Sequence, residues 1–289
     1  GVVIQDGGAH KSVWGSRGDA ASKYCLLCAN LFTPECRICD YDGSRLLTCK
    51  AIKLDELVKT TDKDLRRNAR YLASKHGTVE PDAFITLQQS MGLTHHAHAV
   101  LLDTGLDSVL KPTEVYMHDW MHALFVDGVV NLVVYLLFEA FIKKNTKNIY
   151  ETFSEFVEKW KWPSRLHGSS LAAIFSAGRK DKHRSASHIK CQASDMLSLV
   201  GVLARFVARV LLPIGKCNGE CYVVLALVDL IELITSIPRN RVAPEVLLGA
   251  VHRFLELFCN VFGHDMMTPK FHWLLHLPEC LMRLGVLLN

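Results

Sequence analysis

From Met117 onward, apolar residues return at steps of three and four. Met121, Leu124, Phe125, Gly128, Val129, Leu132, Val133 and Leu136 fall on one stripe of a 3.6-residue period. A chain patterned this way must bury helices against helices. Similar periods predict helices over residues 149–160, 194–212, 222–236 and 244–262, separated by breakers at Trp162-Pro163, 213–218 and 238–242. The most apolar stretches, 123–142 and 197–214, contain Asp127, Asn131 and Glu139, or Arg205 and Arg209, which predicts buried helices of a globular protein and no membrane partner. With 49% hydrophobic residues among 289, there is material for one large domain or two modest ones at roughly 150 residues each.

The first part of the chain reads differently. Residues 1–5 suggest a strand ending on Asp6, followed by a glycine pair and a short helical segment through Ala9, Val13 and Trp14. Residues 21–49 hold a cysteine cluster. Residues 50–116 are the least regular, with charged helical character over 54–75 and a surface histidine group at His95, His96 and His98. A first residue Gly1 and an apolar end over 284–289 suggest that both termini are cuts, and the N-terminal residues lack the pattern of a secretory signal.

Ten cysteines in a chain this long are too sparse for a disulfide scaffold and suggest a reducing compartment. Cys25-x-x-Cys28 and Cys36-x-x-Cys39 place four thiols within a short loop, the means by which such loops enclose tetrahedral Zn²⁺. The seven residues between the pairs are fewer than in common zinc ribbons, so one pair joined by His10 or Cys49 is an alternative; a redox pair suits the pattern less. His272 and His276 lie four apart with no acidic residue of the His-Glu-x-x-His kind between them, which predicts packing. Cys217 and Cys221, flanking Gly219, are expected in a loop.

The formal charge of +4 favours neither strong binding to nucleic acid nor repulsion from it. Local basic groups matter more. The densest comprises Arg179, Lys180, Lys182, Arg184 and Lys190 with His183; others are Lys143, Lys144, Lys147 and Lys159, Lys161, Arg165. Each reads as a solvated face or as a contact for DNA phosphates.

Several stretches, in order, resemble one family. They are Val2-Val3-Ile4-Gln5-Asp6; His118-Asp119-Trp120-Met121-His122 continuing to Gly128; Ile189-Lys190-Cys191-Gln192-Ala193-Ser194-Asp195; and Pro269-Lys270-Phe271-His272-Trp273-Leu274-Leu275-His276-Leu277-Pro278-Glu279. Together they resemble transposases of the CACTA (En/Spm) type. The resemblance implies an α/β fold with a partial RNase H-like core over 1–20, a zinc-binding segment over 21–49, an irregular segment over 50–116 and a large, mainly α-helical region over 117–289. It implies Mg²⁺-dependent DNA cleavage and strand transfer, with Asp6 and Asp195 as metal ligands and a further acid upstream of Gly1. Asp119 and His122 would be a family signature supporting the site. The element's DNA ends, a homo-oligomer and the nucleus follow as expected partners and place.

The residues themselves leave other readings open. Asp6 before Gly-Gly is also an ordinary turn residue, and Asp119 and Asp195 both sit where helix N-caps are expected. Asp195 also stands where the family pattern has Glu, and the missing methylene would misplace a metal, so this chain is expected to be inactive alone. The alternative function is a non-catalytic, zinc-stabilised helical module that binds DNA or protein.

Overall fold

A computed structural model describes residues 12–33, 40–41, 44–146 and 148–287. The chain divides into two compact units: unit 1 comprises Gly1–Trp120 with Met267–Asn289, and unit 2 is Met121–Met266. In chain order the helices are α1 (Asp62–Lys75), α2 (Pro81–Met91) and α3 (Pro112–Val115); α4 (Trp120–Phe125) at the boundary; α5 (Val129–Lys143), α6 (Ile149–Glu158), α7 (Gly168–Ala173), α8 (Ala177–Ala186), α9 (Ala193–Phe206), α10 (Asn218–Ser236) and α11 (Pro244–Phe262); then α12 (Pro269–Leu274) and α13 (Leu277–Leu284).

The expected α/β class is overturned. Among the described residues the only sheet is a pair of two-residue antiparallel strands, Asp40–Tyr41 with Ser44–Arg45, so no RNase H-like core is formed and the protein is mainly helical. The expectation came from the family resemblance, and its one strand, residues 1–5, lies outside the described residues together with Asp6. The described segments nearest to it in sequence do not extend a sheet. Residues 12–14 form a helical turn, and 21–33 run irregularly, tied by isolated bridges between Cys28 and Lys59 and between Leu31 and Leu47.

In unit 1, α1 starts at a reciprocal cap. The Thr61 hydroxyl accepts from Asp64 N–H at 3.1 Å while the Asp64 carboxylate accepts from Thr61 N–H at 3.4 Å, satisfying two of the donors a helix start leaves open. The helix buries Leu65, Ala69 and Leu72. Its Arg66 is also buried, held by Asp107 at 2.6 Å and by the carbonyls of Leu106 and Leu110 at 3.2 and 2.8 Å, which anchors the turns after residue 100. α2 has Pro81 in its first turn and ends on Gly92 in the left-handed region.

Unit 2 bears out the helical periods as elements. Trp120–Lys143 and Ala193–Ile214 are long and apolar enough to cross a membrane by composition. Within unit 2, however, α5 turns Val133, Val134, Leu137, Phe138 and Phe141 into the interior and packs against α6 and α10. Phe153 is the hub of its aromatic core, with ring centroids 4.7 Å from Phe175, 4.8 Å from Phe206 and 5.6 Å from Phe138. Each such pair contributes about 0.5–1.5 kcal/mol beyond the area it buries. Cys221 is not in a loop: it is buried in the first turns of α10, whose start Cys217 immediately precedes.

Asn131 latches the start of α5. Its Oδ1 accepts from Gly128 N–H at 3.3 Å, its Nδ2 donates to Ile189 O at 2.8 Å, and its own carbonyl accepts from Ile189 N–H at 3.1 Å. The side chain is fully buried. Asn131→Ala leaves the Gly128 donor and the Ile189 acceptor unpaired, so it is expected to lower the stability of unit 2 by about 2–3 kcal/mol, read as a lower urea midpoint for that unit's transition. An unchanged midpoint would contradict the latch.

Candidate metal centre

The first half of the centre is the irregular segment carrying Cys25 and Cys28, pinned from several sides within unit 1. Ala29 N–H donates to Val58 O at 2.7 Å and Thr60 N–H to Leu27 O at 3.0 Å. Asn30 binds Val58 N–H at 2.9 Å and Glu56 O at 3.0 Å. The Lys23 ammonium, itself buried, donates to the carbonyls of Cys28 and Ala29. Burial draws its pKa down, opposed by the neighbouring Cys25 and Cys28 sulfurs. Charge on the thiols, with a smaller contribution from Asp64, compensates a cation in this place.

The second half comes from the end of the chain. His272 lies on α12 and His276 caps α13, and both rings are fully buried, as are both thiols. The His276 Nε2 stands 3.4 Å from Cys25 Sγ and 3.4 Å from Cys28 Sγ, and His272 Nε2 stands 3.5 Å from Cys28 Sγ. The two Nε2 atoms are 2.9 Å apart. All four donor atoms lie within 4.8 Å of one another, and this is the one group of metal-ligand type found among the described residues. Tetrahedral Zn²⁺ with bonds of about 2.3 Å to sulfur and about 2.0 Å to nitrogen would set sulfur and nitrogen roughly 3.5 Å apart. The sulfur–nitrogen spacings of 3.4, 3.4 and 3.5 Å match that, while the two nitrogens, 2.9 Å apart, would have to separate by a few tenths of an ångström around an ion.

The donors are charged unevenly. Burial opposes ionisation of Cys25, but its hydrogen bond to Cys28 and the facing His276 and His272 outweigh that and hold its pKa well below the thiol range; Cys28, beside Cys25 and buried, is pushed well above it. The pair thus titrates as a unit. His118 approaches Cys25 Sγ at 3.7 Å and stacks on Trp273 and His276, with ring centroids at 5.0 and 5.3 Å. Burial lowers its pKa to about 4, against the pull of Cys25, so it faces the cluster as a neutral ring. Two thiolates and two neutral imidazoles around a divalent ion sum to zero charge, the combination that burial tolerates best.

Of the expected zinc ligands, Cys25 and Cys28 belong to the cluster; Cys36, Cys39 and the alternative His10 lie outside the described residues. Cys49 is buried and donates to Met267 O at 3.3 Å, apart from the cluster. The packing role expected of His272 and His276 gives way to a place among the donors. The signal was legible in halves: Cys-x-x-Cys and His-x-x-x-His are the two parts of a Cys₂His₂ site. Here Cys28 and His272 are separated by 244 positions, where compact zinc modules need about a dozen.

Asp119 precedes α4 and His122 lies within it, and neither belongs to the metal group. His118, beside them in the same signature, does face it. Asp195 sits half-buried in the first turn of α9, near Cys191, whose pKa is pushed up to about 12 by burial and then by Asp195. Its expected partner Asp6 is outside the described residues. The basic group is largely engaged within unit 2. Arg184 forms a two-point pair with Glu139 at 3.0 and 2.9 Å, Lys190 meets Asp127 at 2.8 Å, and Arg179 donates to Lys190 O at 2.9 Å. Lys180 lies over the Tyr150 ring, and Lys182 is exposed. His95 is half-buried against His76 and Phe84, while His96 and His98 are exposed as expected.

No family model, no curated protein and no solved structure matches the chain.

Proposed function

We propose that the chain is a non-catalytic, zinc-stapled helical module of a CACTA-type transposase protein, in which Zn²⁺ on Cys25, Cys28, His272 and His276 joins the early and late stretches of unit 1. The observation that carries it is the buried Cys₂His₂ cluster. The ion would serve as a structural cross-link, since four protein donors leave no position for water or substrate. Thiol ligands suit a reducing compartment such as the nucleus, and all eight described cysteines are free thiols.

Some of the stretches quoted for the resemblance touch one another within a unit. His118 of the signature stretch faces His276 of the late stretch in unit 1, and Asp127 pairs with Lys190 in unit 2. These are residues far apart in sequence that a transposase-like pattern had singled out. The strand-transfer chemistry has no comparable support, because no group of three or more acidic or histidine donors other than the Cys₂His₂ cluster occurs among the described residues.

The isolated chain is therefore expected to cleave no DNA with Mg²⁺ or Mn²⁺, and to bind duplex DNA weakly. With Arg179, Arg184 and Lys190 turned to internal partners, about two cations of this group remain for phosphates, so substituting Lys180 and Lys182 should make the slope of log K against log salt shallower by no more than about 2. Anisotropy titrations from low to physiological salt measure this. Cleavage, or a slope that becomes shallower by about 5 on those two substitutions, would contradict the reading; zinc retained by the folded chain at one ion per molecule would support it.

A further inference from the structure

Glu279 is not one of the four donors, yet its position relates to only one of them. Its Oε2 stands 3.2 Å from His276 Nδ1, on the side of the ring opposite the cluster. The Lys59 ammonium holds both of its oxygens, at 2.5 and 2.6 Å. A carboxylate on Nδ1 keeps the proton there and leaves the Nε2 lone pair for a metal, while fixing the ring's rotation. Among the described residues the other ligand histidine has no such support: His272 Nδ1 is buried and finds no hydrogen-bond partner there. The two histidines are thus unequal.

We propose that Glu279 is the positioning carboxylate of this centre, that it sets the tautomer and orientation of His276 for the metal, and that Lys59 holds it in place. The proposal rests on the zinc-stapled reading. The Lys59–Glu279 pair is itself part-exposed, and exposed pairs of this kind contribute little stability. Glu279 also lines an open cleft with Lys59, Thr60 and Arg283. Truncating it therefore opens no buried void, and the substitution reports on the hydrogen bond to His276 with little disturbance of packing.

The test compares the full chain with Glu279→Ala and Glu279→Gln, measuring Zn²⁺ affinity by chelator competition and the visible spectrum with saturating Co²⁺. Removing a carboxylate partner of this kind weakens metal binding by about 10- to 100-fold, so Glu279→Ala should fall in that range. Gln retains a neutral acceptor, so Glu279→Gln should lie between Ala and the parent. Both variants should give the parent's intense tetrahedral cobalt bands at saturation, because the four donors are unchanged. Affinities within twofold of a metal-binding parent, or loss of the tetrahedral cobalt bands at saturation, which would make Glu279 itself a ligand, would overturn the positioning role alone. A parent chain that takes up neither ion would overturn the centre itself, and this role with it.

Discussion

Cys28→Ser is expected to unfold unit 1 while unit 2 keeps its helices. Cys28 Sγ lies within 3.5 Å of both histidine Nε2 atoms, so its loss leaves Cys25 as the one donor of the early stretch in the metal group, with the weaker Lys59–Glu279 ion pair and Cys49–Met267 hydrogen bond beside it. In small zinc modules the ion contributes on the order of 10 kcal/mol of apparent folding free energy. The cross-link component alone, for a loop closed over 244 positions, is roughly 5 kcal/mol in the chain-entropy account. Either figure rivals the whole stability of an ordinary domain, about 5–15 kcal/mol. Hydrogen exchange read by mass spectrometry should show protection lost over 21–33 and 269–284 and retained in α10 and α11. A strong chelator should reproduce the pattern in the parent chain. Cys259→Ser, in unit 2, should leave zinc content and exchange unchanged, and a Cys28→Ser protein as protected as the parent would refute the staple.

Gly92→Ala is expected to be the most damaging single methyl group in unit 1. Gly92 ends α2 at φ +69°, and an added Cβ would stand 2.2 Å from the carbonyl oxygen of Lys23. The left-handed backbone costs an alanine about 1–2 kcal/mol, and the overlap with a backbone atom adds about 1–3 kcal/mol. Gly77 provides the comparison. It has φ +72° with nothing within 4 Å of a built Cβ, so Gly77→Ala meets the backbone cost alone. The difference between the two melting shifts isolates the clash. The displacement also reaches the metal, because the chain that must move carries Lys23, whose ammonium holds the Cys28 and Ala29 carbonyls. Gly92→Ala should therefore weaken zinc binding as well as lower the melting temperature, whereas Gly77→Ala should affect the melting temperature only. Equal shifts for the two variants would show that the segment bearing Lys23 yields freely.

The helical periods were legible because amphipathic spacing is a local property. α5, α6, α9, α10 and α11 occur where apolar residues recur at three and four, and Pro163 and Pro238 lie in the breaks between them. The fold class was not legible. The resemblance implied a sheet that the sequence marked with a single apolar run before Asp6, but a sheet needs partner strands, and beyond that run the described residues form mostly turns and helices, with one pair of two-residue strands. The metal centre was legible only in its thiol half. Cys25 and Cys28 announce themselves by spacing, whereas the absence of an acidic residue of the His-Glu-x-x-His kind between His272 and His276 pointed to packing. What joins them is tertiary: unit 1 is built from both ends of the described chain. Glu279 and Lys59 had no sequence signal, since their roles arise from one hydrogen bond to His276 and one ion pair. The basic group over α8 illustrates the opposite failure. Its charges were visible, but the partners that engage them, Glu139 and Asp127, lie on other segments.

Zinc-edge X-ray absorption on the purified full chain tests the central claim most directly, because it counts sulfur and nitrogen neighbours without requiring a substitution. The centre built from Cys25, Cys28, His272 and His276 predicts two sulfurs at about 2.3 Å and two nitrogens at about 2.0 Å, with the outer-shell scattering of imidazole rings. Four sulfurs and no imidazole would instead assign the ion to Cys25, Cys28, Cys36 and Cys39, leave His272 and His276 as packing residues, and contradict the staple.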